Sequence, residues 1–268
     1  MFGLIIAFEN YRPYLGFFHS PWVGLANFQR FLQDQEFFIL LRNTLLFGLY
    51  HILFVFTLPI IVALMLNEMR TVWLKRTVQT LIYIPHFLSW VVVTALTITF
   101  FSSGGVVNNL FNSLWGFKAN FLANPSTFRP EIIIQQLWKE TGWGTILYLA
   151  ALSGVDMQLY EAAEIDGANH WNQLWHITLP SIRGTIVVLL ILGMGNFLNT
   201  GYEQILLNIT PLTQRVGDVY DTYVYNAGIV TGQLSYTTAV GLFKSIASLV
   251  LITASNQIAK RMGEDGIY

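Results

Sequence analysis

Three stretches of this chain carry no charged residue: Thr44–Leu66, Val78–Phe101 and Thr185–Tyr202. A bilayer core of about 30 Å is crossed by about 20 apolar residues in helical form. Each run therefore fits a transmembrane helix, and a soluble domain rarely holds three such runs. The composition agrees, with 54% of the 268 residues hydrophobic and 11% charged, against about 25% charged in soluble domains. No ten-residue segments of alternating polarity point to a membrane barrel. The sequence reads as an all-α integral membrane protein, a bundle of about six transmembrane helices forming one domain over residues 1–268.

Two further spans are expected at Ile132–Val155, which contains Lys139 and Glu140, and at Thr237–Ala259, which contains Lys244. The fifth span extends from Thr185 to Asn208. Met1–Phe8 is too short to cross a membrane and reads as the end of a first helix that begins upstream. Arg70, Lys75 and Arg76 link the second and third spans, and Lys260 and Arg261 follow the sixth. Excess Lys and Arg mark the cytoplasmic side, which puts 153–184 and the C-terminus inside. The segments 10–41, 102–130 and 209–236 then lie outside. Trp22, Trp73, Trp90, Trp115 and Trp138 fall near span ends or in loops, as an interfacial belt would.

The inside segment 154–184 has its own local code. Asp156 is placed to cap a helix start. Val155, Leu159, Ala162 and Ala163 recur at helical spacing, opposite Gln158, Glu161 and Glu164. Gly167 can take the left-handed conformation that ends a helix. A second short helix carries Ala168, Trp171, Leu174 and Trp175 on one side, and Pro180 is expected to stop it. The product is a cytoplasmic helix–turn–helix whose small alanines let another surface approach closely.

This segment resembles the cytoplasmic loop of permease subunits of binding-protein-dependent ATP-binding-cassette importers. Their pattern is E-A-A, three residues, G, nine residues, I, one residue, L-P. It is matched here by Glu161-Ala162-Ala163, Gly167, Ile177 and Leu179-Pro180, with Asp166-Gly167-Ala168 typical of sugar importers. Seven specified positions coincide by chance about once in 10⁸ starts at ordinary residue frequencies. Phe2–Tyr11, Pro21–Phe28, Asp221–Tyr225 and Gly241–Ser245 are similar to permeases for oligosaccharides released from polysaccharides.

The resemblance implies the type I importer fold and a translocation path for a sugar, including uronate-containing oligosaccharides such as those from alginate or pectin. It implies a second related permease, two nucleotide-binding subunits and an extracytoplasmic solute-binding protein. The implied location is the cytoplasmic membrane of a bacterium. No cofactor is expected on this chain, and ATP and magnesium belong to the partner subunit. Coupling would fall to Glu161, Ala162, Ala163, Asp166, Gly167, Ala168, Ile177, Leu179 and Pro180.

Other chemistry is absent from the sequence. There is no cysteine, hence no disulfide or thiolate metal site. There is no phosphate-binding G-x-x-x-x-G-K-[ST] loop, and Gly193-Met194-Gly195 does not continue into a dinucleotide motif. A net charge of −1 argues against nucleic acid. His170 and His176 are expected to pack or hydrogen-bond within the loop. Asn196, Asn199 and Glu203 are spaced to share one helical face of the fifth span. A polar face inside a membrane meets a partner helix or a hydrated path. With Tyr202 and Lys244 they are candidates for the substrate path. The alternative, a secondary transporter driven by an ion gradient, calls for paired mid-bilayer acids and repeated halves, and neither is evident.

Overall fold

The computed structural model describes residues 2–118, 120–263 and 266. Met1, where the first helix was expected to continue from upstream, and the end of the expected 1–268 domain lie outside the described residues. A chain this apolar has few ways to satisfy its backbone without water, and helices close every hydrogen bond within the segment. Among the described residues there is no β-strand, only an isolated bridge between Glu9 and Trp22. Phe2–Phe8 is a 3₁₀ helix. The helices that matter below are α1 (Ala26–Gln33), α2 (Phe37–Asn67), α3 (Val72–Tyr83), α4 (Trp90–Phe101), α5 (Val106–Trp115) and α6 (Pro125–Ser153). They continue with α7 (Met157–Ile165), α8 (His170–Gly195), α9 (Tyr202–Asn208), α10 (Tyr220–Tyr225) and α11 (Leu234–Arg261).

Four stretches among the described residues are long and apolar enough to cross a membrane: α2, Trp90–Trp115, α8 and α11. The expected second and sixth spans lie inside α2 and α11. Helix α2 accommodates Pro59 behind a π-helical stretch, His51–Phe56, where Thr57 Oγ1 donates to the Ile52 carbonyl at 3.1 Å. Helix α6 covers the fourth span and is long enough, but Arg129, Glu131, Lys139 and Glu140 dilute its hydropathy.

Two expected spans are not single helices. The third breaks between α3 and α4: Ile84–Phe87 is 3₁₀ and contains Pro85, Leu88 is extended, and Ser89 restarts the helix by accepting from Val92 N–H at 3.4 Å. The extended Leu88 ends this helix, so carbonyls in its last turn are left without helical donors inside the membrane. Lys139 Nζ takes one of them, donating to the His86 carbonyl at 2.6 Å. The fifth span ends at Gly195 and resumes at Tyr202.

The chain forms two compact units. One gathers Met1–Tyr50, Ser89–Ile133 and Asn196–Leu251. Its core is aromatic, with Phe31 meeting Phe37, Tyr220, Tyr236 and Phe243 edge-on at centroid distances of 5.0–6.3 Å. Buried amides tie its segments together. Asn43 donates to the Arg215 and Asp218 carbonyls (3.1 and 2.8 Å) and accepts from Arg129 (2.8 Å). Gln204 donates to the Ile132 carbonyl at 2.8 Å. Such bonds hold membrane helices together where lipid offers no hydrophobic drive between them.

The other unit gathers His51–Leu88, Ile134–Gly195 and Ile252–Tyr268. Ala63, Tyr148, Leu152 and Ile182 form its core. A Cβ at Gly142 would collide with the Ile82 carbonyl, so α6 reaches the end of α3 only because that position is glycine. Two charges of α6 are paired here: Glu140 contacts Lys139 at 3.1 Å and His86 Nδ1 at 2.8 Å. The His86 ring stacks on Trp143 at 4.3 Å.

Candidate functional site

The segment 154–184 is built as its local code requires at its start and its bend. The Asp156 carboxylate accepts from Gln158 N–H at 2.9 Å and caps α7. At the other end Gly167 has φ +81°. Its N–H bonds the Glu164 carbonyl (3.0 Å), and Ala168 N–H reaches back to Ala163 (2.8 Å). These are the two bonds of a Schellman motif, which satisfies the last carbonyls of the helix. Asn169 then caps α8 by accepting from Asn172 N–H at 2.9 Å.

Pro180 does not stop the second helix. From His170 the helix runs through a π-helical stretch, Leu174–Thr178, and on to Gly195. Leu179 N–H bonds the Leu174 carbonyl five residues back. That wider turn comes immediately before the proline and gives its ring room. The second helix is therefore one end of a candidate span rather than a separate short element. Tyr160 OH and Thr178 Oγ1, 2.9 Å apart, fasten α7 to it.

The surface of this element is unusual for a soluble face. Ala163, Ala168, Asn172, Gln173, His176 and Ile177 line a groove of about 350 Å³. Around it Ile165 is 87% exposed, and Met157, Trp171 and Trp175 are also exposed. Glu161, Ala162 and Asp166 are exposed as well, Leu179 is half-buried, and Pro180 is exposed. His176 Nδ1 lies 2.9 Å from the Asn172 carbonyl, while His170 is exposed. Exposed apolar patches of this kind mark interaction sites.

The second candidate region departs from expectation. Asn196, Asn199 and Glu203 do not share a helical face, because α8 ends at Gly195 and α9 begins only after Gly201, whose φ is +69°. The segment between is a turn, with Asn199 N–H on the Asn196 carbonyl at 2.8 Å and Asn199 Nδ2 on Asn196 Oδ1 at 3.2 Å. Asn196, Asn199, Tyr202 and Glu203 are all exposed nonetheless. Irregular backbone at membrane depth is tolerated only where protein buries it or a water-filled cavity meets it. The turn falls midway along the expected span.

Lys244, on α11, faces protein. It is ion-paired with Asp221 of α10, and the other oxygen of Asp221 accepts from Thr200 N–H at 3.4 Å. Asp221 thus ties α11 to the turn that breaks the fifth span. Sequence reasoning did not find this role, because partners 23 residues apart have no local signature. The Tyr202 and Tyr225 rings lie 6.0 Å apart.

The same unit holds an open cavity of about 660 Å³ lined by Glu36, Gln214, Arg215, Asp218 and Asn226 among others. Beside it, burial alone would raise the Asp34 carboxyl. The Glu36 N–H, the Tyr236 and Tyr223 hydroxyls and the Arg30 guanidinium outweigh that and hold it below the usual carboxylate range. Burial pushes Asp218 the other way, against hydrogen bonds that include one from Thr222.

A profile described as "Binding-protein-dependent transport system inner membrane component" matches residues 55–264, which includes the whole loop 154–184. The chain belongs to that family. Protein LplB of Bacillus subtilis (strain 168) is 52% identical over 269 residues, covering 100% of this chain and 85% of LplB. The polygalacturonan/rhamnogalacturonan transport system permease protein YteP of the same organism is 49% identical, covering 100% and 84%. A chain of the bacterial alginate ABC transporter, solved with alginate pentasaccharide-bound periplasmic protein, superposes with a TM-score of 0.91 at 37% identity, covering 99% of this chain and 88% of that one. This permease is accordingly a multi-helix component of the inner membrane, with ATP hydrolysis on separate subunits. Membership sets aside the ion-gradient alternative.

Proposed function

We propose that this permease forms half of the translocation path of an importer for oligosaccharides released from acidic polysaccharides, uronate-containing ones included. The names of YteP and of the alginate transporter support that substrate class. A second, related permease supplies the other half of the path. Two nucleotide-binding subunits carry ATP and magnesium, and a solute-binding protein delivers the sugar from outside. The C-terminus lies in the cytoplasm with the loop 154–184.

The observation that carries the mechanism is the continuity of α8, which begins in the cytoplasmic loop and ends at the turn 196–201. A nucleotide-binding subunit seats against the alanine-lined groove and the exposed Ile165, Trp171 and Trp175. Its closure on ATP moves α7, and the Tyr160–Thr178 contact passes the displacement to α8. Asn196 and Asn199 present carboxamides, and Tyr202 a ring, to the sugar in the path. Lys244 is neutralised by Asp221, so it orders the turn rather than binding a uronate directly.

Cross-linking tests the docking. The chain has no cysteine, so Ala163→Cys in the assembled complex is expected to cross-link to the nucleotide-binding subunit, with a yield that changes on adding ATP. Cross-linking from Asn112→Cys in place of Ala163→Cys would overturn the assignment.

A further inference from the structure

Helix α5 is poised between two solvents. At about 100° per residue, Val106, Val107, Leu110, Phe111, Leu114 and Trp115 fall on one half of it. Asn108, Asn109, Asn112 and Ser113 fall on the other. Phe111 turns inward, its ring 5.0–6.0 Å from those of Trp115, Phe117 and Phe121. The edge formed by Val106, Leu110 and Leu114 is exposed, with Leu114 at 61% and Trp115 at 63%. Asn109, Asn112 and Ser113 are exposed too.

The orientation of this helix is fixed by its entry. The stretch 90–115 is apolar enough to cross a membrane, but it is two helices. Ser102 is extended, and Gly105 caps the second helix. Buried Asn108 donates to the Ser102 and Phe101 carbonyls (2.8 and 3.2 Å), and Asn109 to Gly104 (3.0 Å). These bonds hold the turn that separates α5 from α4.

We propose that α5 lies in the membrane interface, on the outer leaflet in the orientation given by the loop charges, with Val106, Leu110 and Leu114 in lipid. Three features favour lipid as the occupant. The exposed edge follows directly from the exposed apolar residues of α4, including Ile98, Phe100 and Phe101. The opposite half is polar and uncharged, with Asn109, Asn112 and Ser113 exposed. The helix ends at exposed Trp115, and tryptophan concentrates at headgroup level. An amphipathic helix of this kind sinks about 5–10 Å into the headgroup and acyl boundary.

The inference rests on the loop-charge orientation only for the choice of leaflet. Its test reads depth, not transport, so its failure is distinct from failure of the proposed function. Single cysteines at Leu110, Leu114 and Asn112 are spin-labelled in the complete complex in lipid nanodiscs. Collision rates with oxygen and with a water-soluble nickel chelate are then compared. The expected result is a several-fold higher oxygen-to-nickel ratio at Leu114 and Leu110 than at Asn112. Labels at Leu110 and Leu114 that are open to nickel would place this edge in water. Labels that are immobile and closed to both probes would place it against protein. Either outcome overturns the proposal.

Discussion

Replacing Gly167 tests the bend of the docking joint. No atom beyond the chain neighbours lies within 4 Å of where a Cβ would stand, so a Cβ there meets no clash within the chain and acts on the fold through the backbone. At φ +81° an L-residue costs about 1–2 kcal/mol, and a β-branched one more, since such residues are outliers at positive φ. One or two kcal/mol corresponds to a factor of about 5–30 in the population of the required bend. Escaping to negative φ would break the bonds from Gly167 N–H to Glu164 and from Ala168 N–H to Ala163, each worth about 0.5–1.5 kcal/mol. The series Gly167→Asn, →Ala and →Val should therefore lose function in that order, because Asn tolerates the left-handed region best. The assay is co-purification of the nucleotide-binding subunit, together with ATPase activity and sugar uptake in proteoliposomes. For Gly167→Val, either the subunit is lost or ATP is hydrolysed without transport. If Gly167→Val assembles and transports at the native rate, the bend does not position the coupling surface, and this reasoning fails.

Two further outcomes are expected. Asn199→Leu removes a carboxamide from the turn that breaks the fifth span, and should lower uptake and alter sugar-stimulated ATPase while the complex stays intact; unchanged values would assign the turn to packing. In whole cells, a cysteine at Asn120 should react with an impermeant thiol reagent and one at Thr71 should not, and the reverse pattern would invert the topology.

The build of the loop 154–184 was legible because its determinants are local. A cap at Asp156, a left-handed glycine at Gly167 and small residues between them act within one or two helical turns. The course of the spans was less legible. Hydropathy averaged over some 20 residues registers apolar length and is blind to where a helix pauses. The break after Gly195 was therefore hidden, although Asn196, Asn199 and Gly201 are turn formers. Pro85 and Ser89 signalled the break in the third span in the same way. Pro180 misled in the opposite direction, because a π-turn before it lets the helix continue. The pairing of Lys244 with Asp221 and the stacking of His86 on Trp143 depend on segments distant in sequence, and local spacing carries no trace of them.

The central claim is that this permease moves a sugar inward on energy delivered through its cytoplasmic loop by ATP. The most direct measurement is accumulation of a radiolabelled oligogalacturonide in proteoliposomes that hold the complete complex, with the solute-binding protein on the side opposite to ATP. The account predicts uptake that requires both ATP and the binding protein, persists when ion gradients are collapsed, and disappears in Gly167→Val. Accumulation that follows an imposed proton or sodium gradient without ATP would contradict it.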